Sequence, residues 1–369
     1  MNKLLHTLFF SAIVGLISGC NGSSSNSSTN TNNWNLVGGS IPGSNIILNS
    51  IAYSSGQIYT GGSLDVNNPA VFNFENSWQI TGGNYLPNPY GVTEQVNSIA
   101  IDTNKTLYVA VNATTPGSFG DRPTVGYLAS NAGNNGSWLI LANESSVPDN
   151  GGINSIAVSN GTAYAGTGGY DLNNNSYYGH VYSCAGAQSP WQEVGGESVP
   201  NGGEVYSVAL SNTGSVYAGT GGYDLTNNSS FGSVYVSINN GNWQQVGGGS
   251  TPDSGVVTSL AISATNQIYA ATSNSNVYLS TGNNSWSIFG GGSLPDNGSI
   301  TSINLSTNGL IYAATNNGNI YAASINQSWQ LVGGGGMPDG WYANSITTTS
   351  GIIYAATQGG NVYSTSIIQ

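Results

Sequence analysis

The chain has 369 residues, which suits one large domain or two small ones. Only 5% of them are charged, and 15 Asp and Glu against 3 Lys and Arg give a formal net charge of −12. This shortage of cations excludes a nucleic-acid-binding patch and disfavours electrostatic docking on anionic lipid. Regularly spaced Val, Ile, Tyr and Trp argue against the disorder that low charge and low hydrophobicity would otherwise indicate.

Residues 1–19 have the features of an export signal. Lys3 precedes an apolar run from Leu8 to Ile17, which is too short for a membrane-spanning helix, and small residues follow. The segment Leu16-Ile17-Ser18-Gly19-Cys20 resembles the bacterial lipoprotein box. That resemblance implies that Cys20 becomes the first residue of the mature chain and carries acyl chains such as palmitate. An ordinary cleaved signal with a chance cysteine is the alternative.

Residues 20–33 are expected to form the lipidated Cys20 and a flexible tether of Asn, Ser, Gly and Thr, with a reach of roughly 20 Å. Asn21 differs from the Asp that usually retains such lipoproteins in the inner membrane. The resemblance therefore points to the outer membrane of a bacterial envelope, without indicating which side. A lipidated Cys20 leaves Cys184 without an intramolecular disulfide partner.

From Trp34 onward one unit recurs, and its first Trp returns every 43 to 60 residues. The unit after Trp243 shows the strands in order: WQQVGGG, a TPDSG turn, VVTSLAIS, QIYAAT and NVYLS. Four short strands in a repeat of this length are typical of propeller blades. The sequence therefore predicts an all-β, seven-bladed β-propeller over residues 34–369, with the Trp strand outermost in each blade.

The two ends of the repeat array are incomplete in complementary ways. Inner strands are predicted to begin near residues 46, 95, 153, 204, 256, 299 and 343, and the last unit lacks a Trp strand. The first unit starts with an unmatched strand, WNLVGG at 34–39. We therefore expect this N-terminal strand to complete the last blade and to leave no exposed sheet edge.

Aromatic residues recur at fixed places in the unit and are predicted to form the core. One set lies in the second strand: Tyr59, Tyr108, Tyr164, Tyr217, Tyr269, Tyr312 and Tyr354. A second set lies in the third strand: Phe72, Tyr127, Tyr182, Tyr235, Tyr278, Tyr321 and Tyr363. The seven Trp residues complete it: Trp34, Trp78, Trp138, Trp191, Trp243, Trp286 and Trp329.

Two propeller families share features with these units. The segments AYAGTGGYD and VYAGTGGYD, each followed by a Tyr and a Trp, are similar to kelch repeats. The hairpin from Ser237 to Trp243 resembles the Asp-box of sialidase-type (BNR) repeats, with Asn in place of Asp and one residue fewer before the Trp. Both families contain enzymes and pure binders, so the resemblance implies the architecture and no activity.

Several kinds of catalytic site lack their residues. Sialidase chemistry needs an arginine cluster, and Arg122 is the single Arg. His180 is the one His after the signal, so neither a Ser-His-Asp triad nor a His-rich metal site can be assembled with confidence. We interpret His180 as a surface residue and Cys184 as a small packed residue.

Acidic residues are predicted to collect on one face, which leaves paired carboxylates for a glycan-acting hydrolase as an alternative. Asp149, Asp253, Asp296 and Asp339 lie in Pro-Asp turns, where turn chemistry is the simpler explanation. Asp65, Asp171 and Asp224 lie in long loops between the second and third strands. Asp171, Asn173 and Asn175 have the alternate spacing of a Ca²⁺ loop without its Gly and distal Glu, so Ca²⁺ is a further interpretation and no other cofactor is indicated.

Trp341 departs from the repeat. It lies four residues before the inner-strand Ser, where four other blades have Gly151, Gly203, Gly255 and Gly298, and Gly there suggests a turn with positive φ. We expect Trp341 on the long-loop face, either as a contact residue or as a plug of the axial opening. With Tyr170, Tyr223 and the loop acids it suggests a non-enzymatic site for a protein or glycan ligand; a lectin is the runner-up.

Overall fold

A computed structural model describes residues 33–43, 46–64, 68–83, 85–89, 93–114, 124–132, 137–142, 146–171, 176–200, 202–224, 229–280 and 285–367. Nearly all regular structure in these ranges is β-strand, with short 3-10 turns such as Thr81–Gly83 and Val246–Gly248. None of the helical segments in the described ranges has the length and apolar character needed to cross a membrane.

The strands form seven antiparallel sheets, six of which follow the order of the chain. After β1 (Asn35–Leu36), blade 1 holds β2 (Ile47–Ser54), β3 (Gln57–Leu64), β4 (Asn68–Phe74) and β5 (Trp78–Ile80). Blade 2 holds β6 (Thr93–Ile101), β7 (Leu107–Thr114), β8 (Thr124–Asn131) and β9 (Leu139–Ile140). Blade 3 holds β10 (Gly152–Ser159), β11 (Thr162–Asp171), β13 (Val181–Cys184), β14 (Gln192–Glu193) and an extra strand, β12 (Ser176–Tyr178), paired with β11.

The remaining blades are regular four-stranded units. Blade 4 holds β15 (Glu204–Leu210), β16 (Val216–Asp224), β17 (Ser229–Ser237) and β18 (Gln244–Gln245). Blade 5 holds β19 (Val257–Ile262), β20 (Ile268–Thr272), β21 (Val277–Ser280) and β22 (Ser287–Ile288). Blade 6 holds β23 (Ile300–Leu305), β24 (Ile311–Thr315), β25 (Ile320–Ala323) and β26 (Gln330–Leu331).

Blade 7 joins the two ends of the chain. Its strands β27 (Ala343–Thr348), β28 (Ile352–Thr357) and β29 (Val362–Ser366) are completed by β1, which pairs with β29 through Asn35 opposite Ser364 and Leu36 opposite Tyr363. The seven-bladed propeller and its closure by the N-terminal strand are therefore confirmed.

Neighbouring blades are hydrogen-bonded around the axis through a serine in each innermost strand. Each serine follows a β-bulge, and its hydroxyl oxygen accepts the backbone N–H of an apolar residue in the next blade. The donor and acceptor pairs, at 3.0 to 3.3 Å, are Ile99 and Ser50, Ile156 and Ser98, Val208 and Ser155, Leu260 and Ser207, Ile303 and Ser259, Ile346 and Ser302, and Ile51 and Ser345. All seven interfaces thus have this bond, including the one between blades 7 and 1.

The bulged residue beside the serine makes a second bond to the same neighbour at five of the interfaces. Its side chain donates to a carbonyl of the next blade at 2.7 to 3.2 Å: Asn49 to Val96, Asn97 to Ile153, Asn154 to Val205, Thr301 to Ala343, and Asn344 to Leu48. The inner strands therefore exchange hydrogen bonds in both directions.

At the rim, the repeated Trp and Gly residues connect consecutive blades. Six of the seven repeat Trp side chains donate from Nε1 to a carbonyl of the preceding blade at 2.9 to 3.4 Å. Four of these indoles face a glycine with positive φ, and an added Cβ would lie 2.2 to 2.4 Å from Nε1 at Gly195, Gly247, Gly290 and Gly333. At these four places the first glycine after the Trp strand is therefore required by shape as well as by backbone conformation.

The predicted aromatic core is present in the described residues. All members of the two second- and third-strand sets and of the Trp set are buried except Tyr164, Tyr354, Trp191 and Trp286, which are half-buried. Each blade packs its apolar side chains against the next, so that the core is divided into clusters between blades.

Candidate functional site

The alternation of strand direction gives the propeller two different faces. Turns between second and third strands, together with the connections that lead from a fourth strand to the next inner strand, form what we call the long-loop face. Turns between first and second strands and between third and fourth strands form the opposite face. The inner strands β2, β6, β10, β15, β19, β23 and β27 all begin at the long-loop face.

Some of the loop residues predicted from the sequence to form the site lie within the described residues, and others lie outside them. Asp171 and Asp224 end strands β11 and β16, where their backbones pair with Ser176 and Ser229. Tyr170 and Tyr223 precede them in these two ladders, so all four reach the same face in neighbouring blades. The remaining predicted positions lie outside the described residues: Cys20, Asp65, Asn173 and Asn175.

The four Pro-Asp carboxylates are engaged in their own turns. In each, Oδ1 accepts the backbone N–H two residues later at 2.9 to 3.1 Å, in the pairs Asp149 with Gly151, Asp253 with Gly255, Asp296 with Gly298, and Asp339 with Trp341. Oδ2 accepts the hydroxyl of a Thr in the second strand, from Thr167, Thr272, Thr315 and Thr357 respectively. In blades 5 to 7 it also accepts an Asn amide at 2.7 to 3.0 Å, from Asn276, Asn319 and Asn361.

These bonds tie the connection between blades to the adjacent hairpin. A carboxylate that accepts three hydrogen bonds from its own turn has most of its lone pairs already occupied. Such a group is poorly suited to take or deliver a proton on a substrate. The turn explanation for this set is therefore the better one. Among the described residues, no cluster of three or more His, Cys, Asp and Glu could hold a metal ion.

The glycines aligned with Trp341 do not have positive φ, so that expectation was wrong. The positive φ belongs to the preceding residue: Asn150, Gly202, Ser254, Asn297 and Gly340, at 52° to 75°. The aligned glycines are needed for space, since an added Cβ at Gly203 would lie 2.7 Å from the Gly221 carbonyl oxygen. A side chain at this position must therefore displace part of the neighbouring hairpin.

Trp341 fits because blade 7 has changed at a second position. In blades 5 and 6 the hairpin carries Asn274 and Asn317, whose amides donate to the Asp253 and Asp296 carbonyls at 2.8 and 2.9 Å. Blade 7 has Gly359 there, and an added Cβ would lie 2.4 Å from Cδ1 of Trp341. The indole thus occupies the place of the missing Asn, and it is 51% exposed on the long-loop face.

Glu94 holds the same aligned position in blade 2, and the sequence analysis missed it. Its side chain is 1% exposed, and Oε2 accepts the Tyr127 hydroxyl at 2.7 Å. Burial raises the pKa of Glu94 to about 7, which the Tyr127 bond opposes. The aligned position could have revealed it, because Glu94 stands where blades 3 to 6 have Gly.

Glu204 and Tyr206 form a second acidic feature at the start of β15 that the sequence analysis did not single out. They are two residues apart on an inner strand and hydrogen-bond to each other. Burial raises the pKa of Glu204, and the Tyr206 hydrogen bond lowers it in part. Glu204 lies over Gly168 of blade 3, whose missing side chain leaves it room. No repeat signal marks Glu204, because its position, three before the inner-strand Ser, varies from Gly152 to Tyr342 among the blades.

His180 and Cys184 have structural environments. His180 Nδ1 lies 2.6 Å from Glu193 Oε1, and its ring stacks on Tyr182 with centroids 5.5 Å apart. It therefore bridges β13 and β14 instead of standing free on the surface. Cys184 is 1% exposed and its thiol donates to the Gly186 carbonyl at 3.2 Å, as expected for a packed residue.

Comparison with solved structures supports this architecture. YCF48 bound to D1 peptide matches with a TM-score of 0.61 and 14% identity, over 92% of this chain and 96% of that one. A catalytically inactive virginiamycin B lyase from Staphylococcus aureus with quinupristin matches with a TM-score of 0.63 and 11% identity, over 91% and 100%. The WD40 propeller domain of Doa1 gives 0.54 and 13%, over 90% and 96%. The chain is a β-propeller.

Neither a protein-family profile nor a curated protein sequence matches the chain. At the identities found, the structural matches establish the fold alone, because propellers of one shape perform unrelated tasks. The kelch and Asp-box resemblances therefore stay predictions.

Proposed function

We propose that this chain is a lipid-anchored binding protein of a bacterial envelope that holds a protein ligand on its long-loop face and catalyses no reaction. The observation that carries this proposal is the Trp341 indole, which is half exposed beside the Asp339 turn and seated on Gly359. Large aromatic side chains held rigidly at a surface are typical contacts in protein recognition. Exposure of this extent also disfavours the plug interpretation.

The fold and the acids support binding over hydrolysis. YCF48, which has the same architecture, was solved with a peptide bound. The Asp253, Asp296 and Asp339 carboxylates each accept hydrogen bonds from Thr and Asn side chains, which disfavours their use as an acid and base pair. The exposed and half-buried acids Asp149, Glu197, Asp253, Asp296 and Asp339 also lie on the long-loop face, so a partner with basic residues would be attracted to it.

The proposal is tested by screening the purified chain against immobilised proteins and a glycan array, followed by Trp341→Ala. We expect a protein ligand whose affinity falls at least about tenfold, the size of losing one aromatic contact of roughly 1.4 kcal/mol. The matched control is Ile238→Ala, an exposed side chain on the opposite face. Unchanged affinity of Trp341→Ala would rule out this face as the site.

A lectin remains the second candidate, since an exposed indole also stacks on sugars. Selective signals on the glycan array that disappear with Trp341→Ala would favour it. The anchor has a separate test: Cys20→Ser should release the protein from the detergent-soluble membrane fraction, and a variant that is cleaved yet stays in the membrane would contradict lipidation.

A further inference from the structure

Five large apolar side chains are exposed where the rim of blades 6 and 7 meets the face opposite the long loops. Leu331 and Leu36 lie on the outermost strands β26 and β1 and are 42% and 44% exposed. Ile325 follows β25, Ile352 begins β28 and Tyr53 lies near the end of β2, at 53%, 38% and 37%. We call these five residues the apolar corner.

The members of the apolar corner belong to adjoining blades. Tyr53 of blade 1 stacks on Tyr354 of blade 7 with ring centroids 6.2 Å apart, and Tyr354 is two residues from Ile352. Ile325 lies in the turn between β25 and β26 of blade 6, and Ile352 lies at the end of the turn between β27 and β28 of blade 7. The equivalent turns of blades 3 and 4 together line one cavity of about 450 Å³. The apolar corner thus has members in three consecutive blades, 6, 7 and 1.

Charged residues are scarce in the part of the chain that forms blades 6 and 7, and the acids collect on the long-loop face. From residue 300 to residue 367 the sequence has a single Asp, Glu, Lys, Arg or His, which is Asp339 on the long-loop face. The described acids of that face are Glu94, Asp149, Asp171, Glu197, Glu204, Asp224, Asp253, Asp296 and Asp339. A lipid surface with anionic headgroups would repel the long-loop face, whereas the apolar corner has no charge to desolvate.

The chain also enters the propeller on the side of the apolar corner. β1 is the fourth strand of blade 7, and a fourth strand is reached from the turn on the face opposite the long loops. The Asn33 N–H donates to the Gly333 carbonyl at 2.8 Å, which fixes the start of β1 between blades 6 and 7. An anchor at Cys20, only 13 residues before Asn33, would keep this corner close to the bilayer.

We propose that the apolar corner docks on the lipid bilayer that holds the acyl chains of Cys20, so that the long-loop face points away from the membrane. This inference rests on the lipid anchor of the proposed function. Aliphatic side chains insert at the headgroup boundary, and the Tyr53–Tyr354 pair suits the interfacial region, where aromatic residues with a polar tip concentrate. The ligand face is then presented to the space beyond the membrane.

The orientation is tested with the full lipidated chain in phosphatidylcholine vesicles that contain a quencher in the upper acyl chain. A fluorophore is attached at Ile325→Cys, and Cys184 does not compete for the label because it is 1% exposed. One matched control is Ile238→Cys, in the equivalent turn of blade 4 and 50% exposed. The other is Asn316→Cys, which is exposed on the long-loop face of blade 6.

We expect the label at position 325 to be quenched several-fold more than the labels at 238 and 316, since docked side chains lie about 5–10 Å into the headgroup boundary. Equal quenching at all three positions, in protein that still floats with the vesicles, would overturn the docking while the anchor survives. Protein that does not float would refute both. If the label at position 325 is protected from solvent in detergent, without any bilayer, and the protein forms dimers as its concentration rises, the apolar corner is an interface between two copies. That result would overturn lipid docking.

Discussion

Glu94→Gln should change how the stability of the propeller depends on pH. The buried carboxyl has a pKa raised to about 7 in the folded chain from 4.5 in a model compound, and burial is the main cause. Among the described residues its Oε1 has no hydrogen-bond partner, so the charged form is poorly compensated. The Gln amide keeps an oxygen for the Tyr127 hydroxyl and removes the titration.

The sign and size follow from proton linkage. Between pH 4.5 and about 7 the unfolded chain has lost the Glu94 proton while the folded chain keeps it, so the free energy of unfolding falls as the pH rises. A shift of this size corresponds to about 3 kcal/mol, at roughly 1.4 kcal/mol for each pKa unit. The parent should lose this amount across that range, and Glu94→Gln should not.

The measurement is urea unfolding of parent and variant at constant ionic strength from about pH 4.5 to above pH 7, because the difference between the two removes the contributions of the other acids. If the Gln amide introduced at position 94 finds no acceptor, it lowers the free energy of unfolding of the variant by the same amount at every pH. The slope of that free energy against pH is then unaffected. Glu75→Gln, at an exposed position, is the control and should follow the parent. Parallel parent and Glu94→Gln curves would refute the burial argument.

Three further changes test the blade contacts. Gly290→Ala adds a Cβ 2.3 Å from the Trp329 indole and should lower the free energy of unfolding by about 1–3 kcal/mol. Gly309 has a similar positive φ but open space around it, so Gly309→Ala measures the cost of the backbone conformation alone. Equal losses in the two variants would contradict the steric reason. Trp34→Ala removes a buried side chain that closes blade 7 and should cost about 3–5 kcal/mol and promote aggregation, so a melting temperature like that of the parent would argue against closure by β1. Asp296→Ala removes the acceptor of the Asn319 amide and of the Gly298 N–H, and the shorter of two bonds of the Thr315 hydroxyl. It should cost about 1–3 kcal/mol in thermal unfolding, whereas unchanged stability would reopen a functional role for that acid.

The repeat was predictable because its signals are large and local. Trp and Tyr return at fixed places, and the unmatched WNLVGG segment predicts the pairing of β1 with β29, which the structure contains. The role of the inner-strand serines was not predictable. Ser50 and its equivalents accept hydrogen bonds across the blade interfaces because a bulge precedes each of them. A bulge depends on the register between two strands, which composition does not specify.

The candidate site was less predictable, since it depends on pairs of positions that lie far apart in the sequence. Trp341 was noticed as a departure from Gly, but only contact with Gly359 explains how the indole is accommodated. Glu94 was overlooked although it departs from Gly at the aligned position, and Glu204 was overlooked because the residue at its position varies from blade to blade. Their altered pKa values arise from tertiary burial, which a single sequence does not report.

The ring of serine bonds makes each blade equivalent to a subunit with a head-to-tail interface, donating from one side and accepting on the other. Because the interface between blades 7 and 1 uses the same pair of atoms, Ile51 N and Ser345 Oγ, the covalent chain has no privileged starting blade. Circular permutants opened at a short exposed turn, such as the one at Asn160 and Gly161 between β10 and β11, would retain every one of these seams. New blades copied from a single unit would likewise carry both halves of the contact needed to join their neighbours.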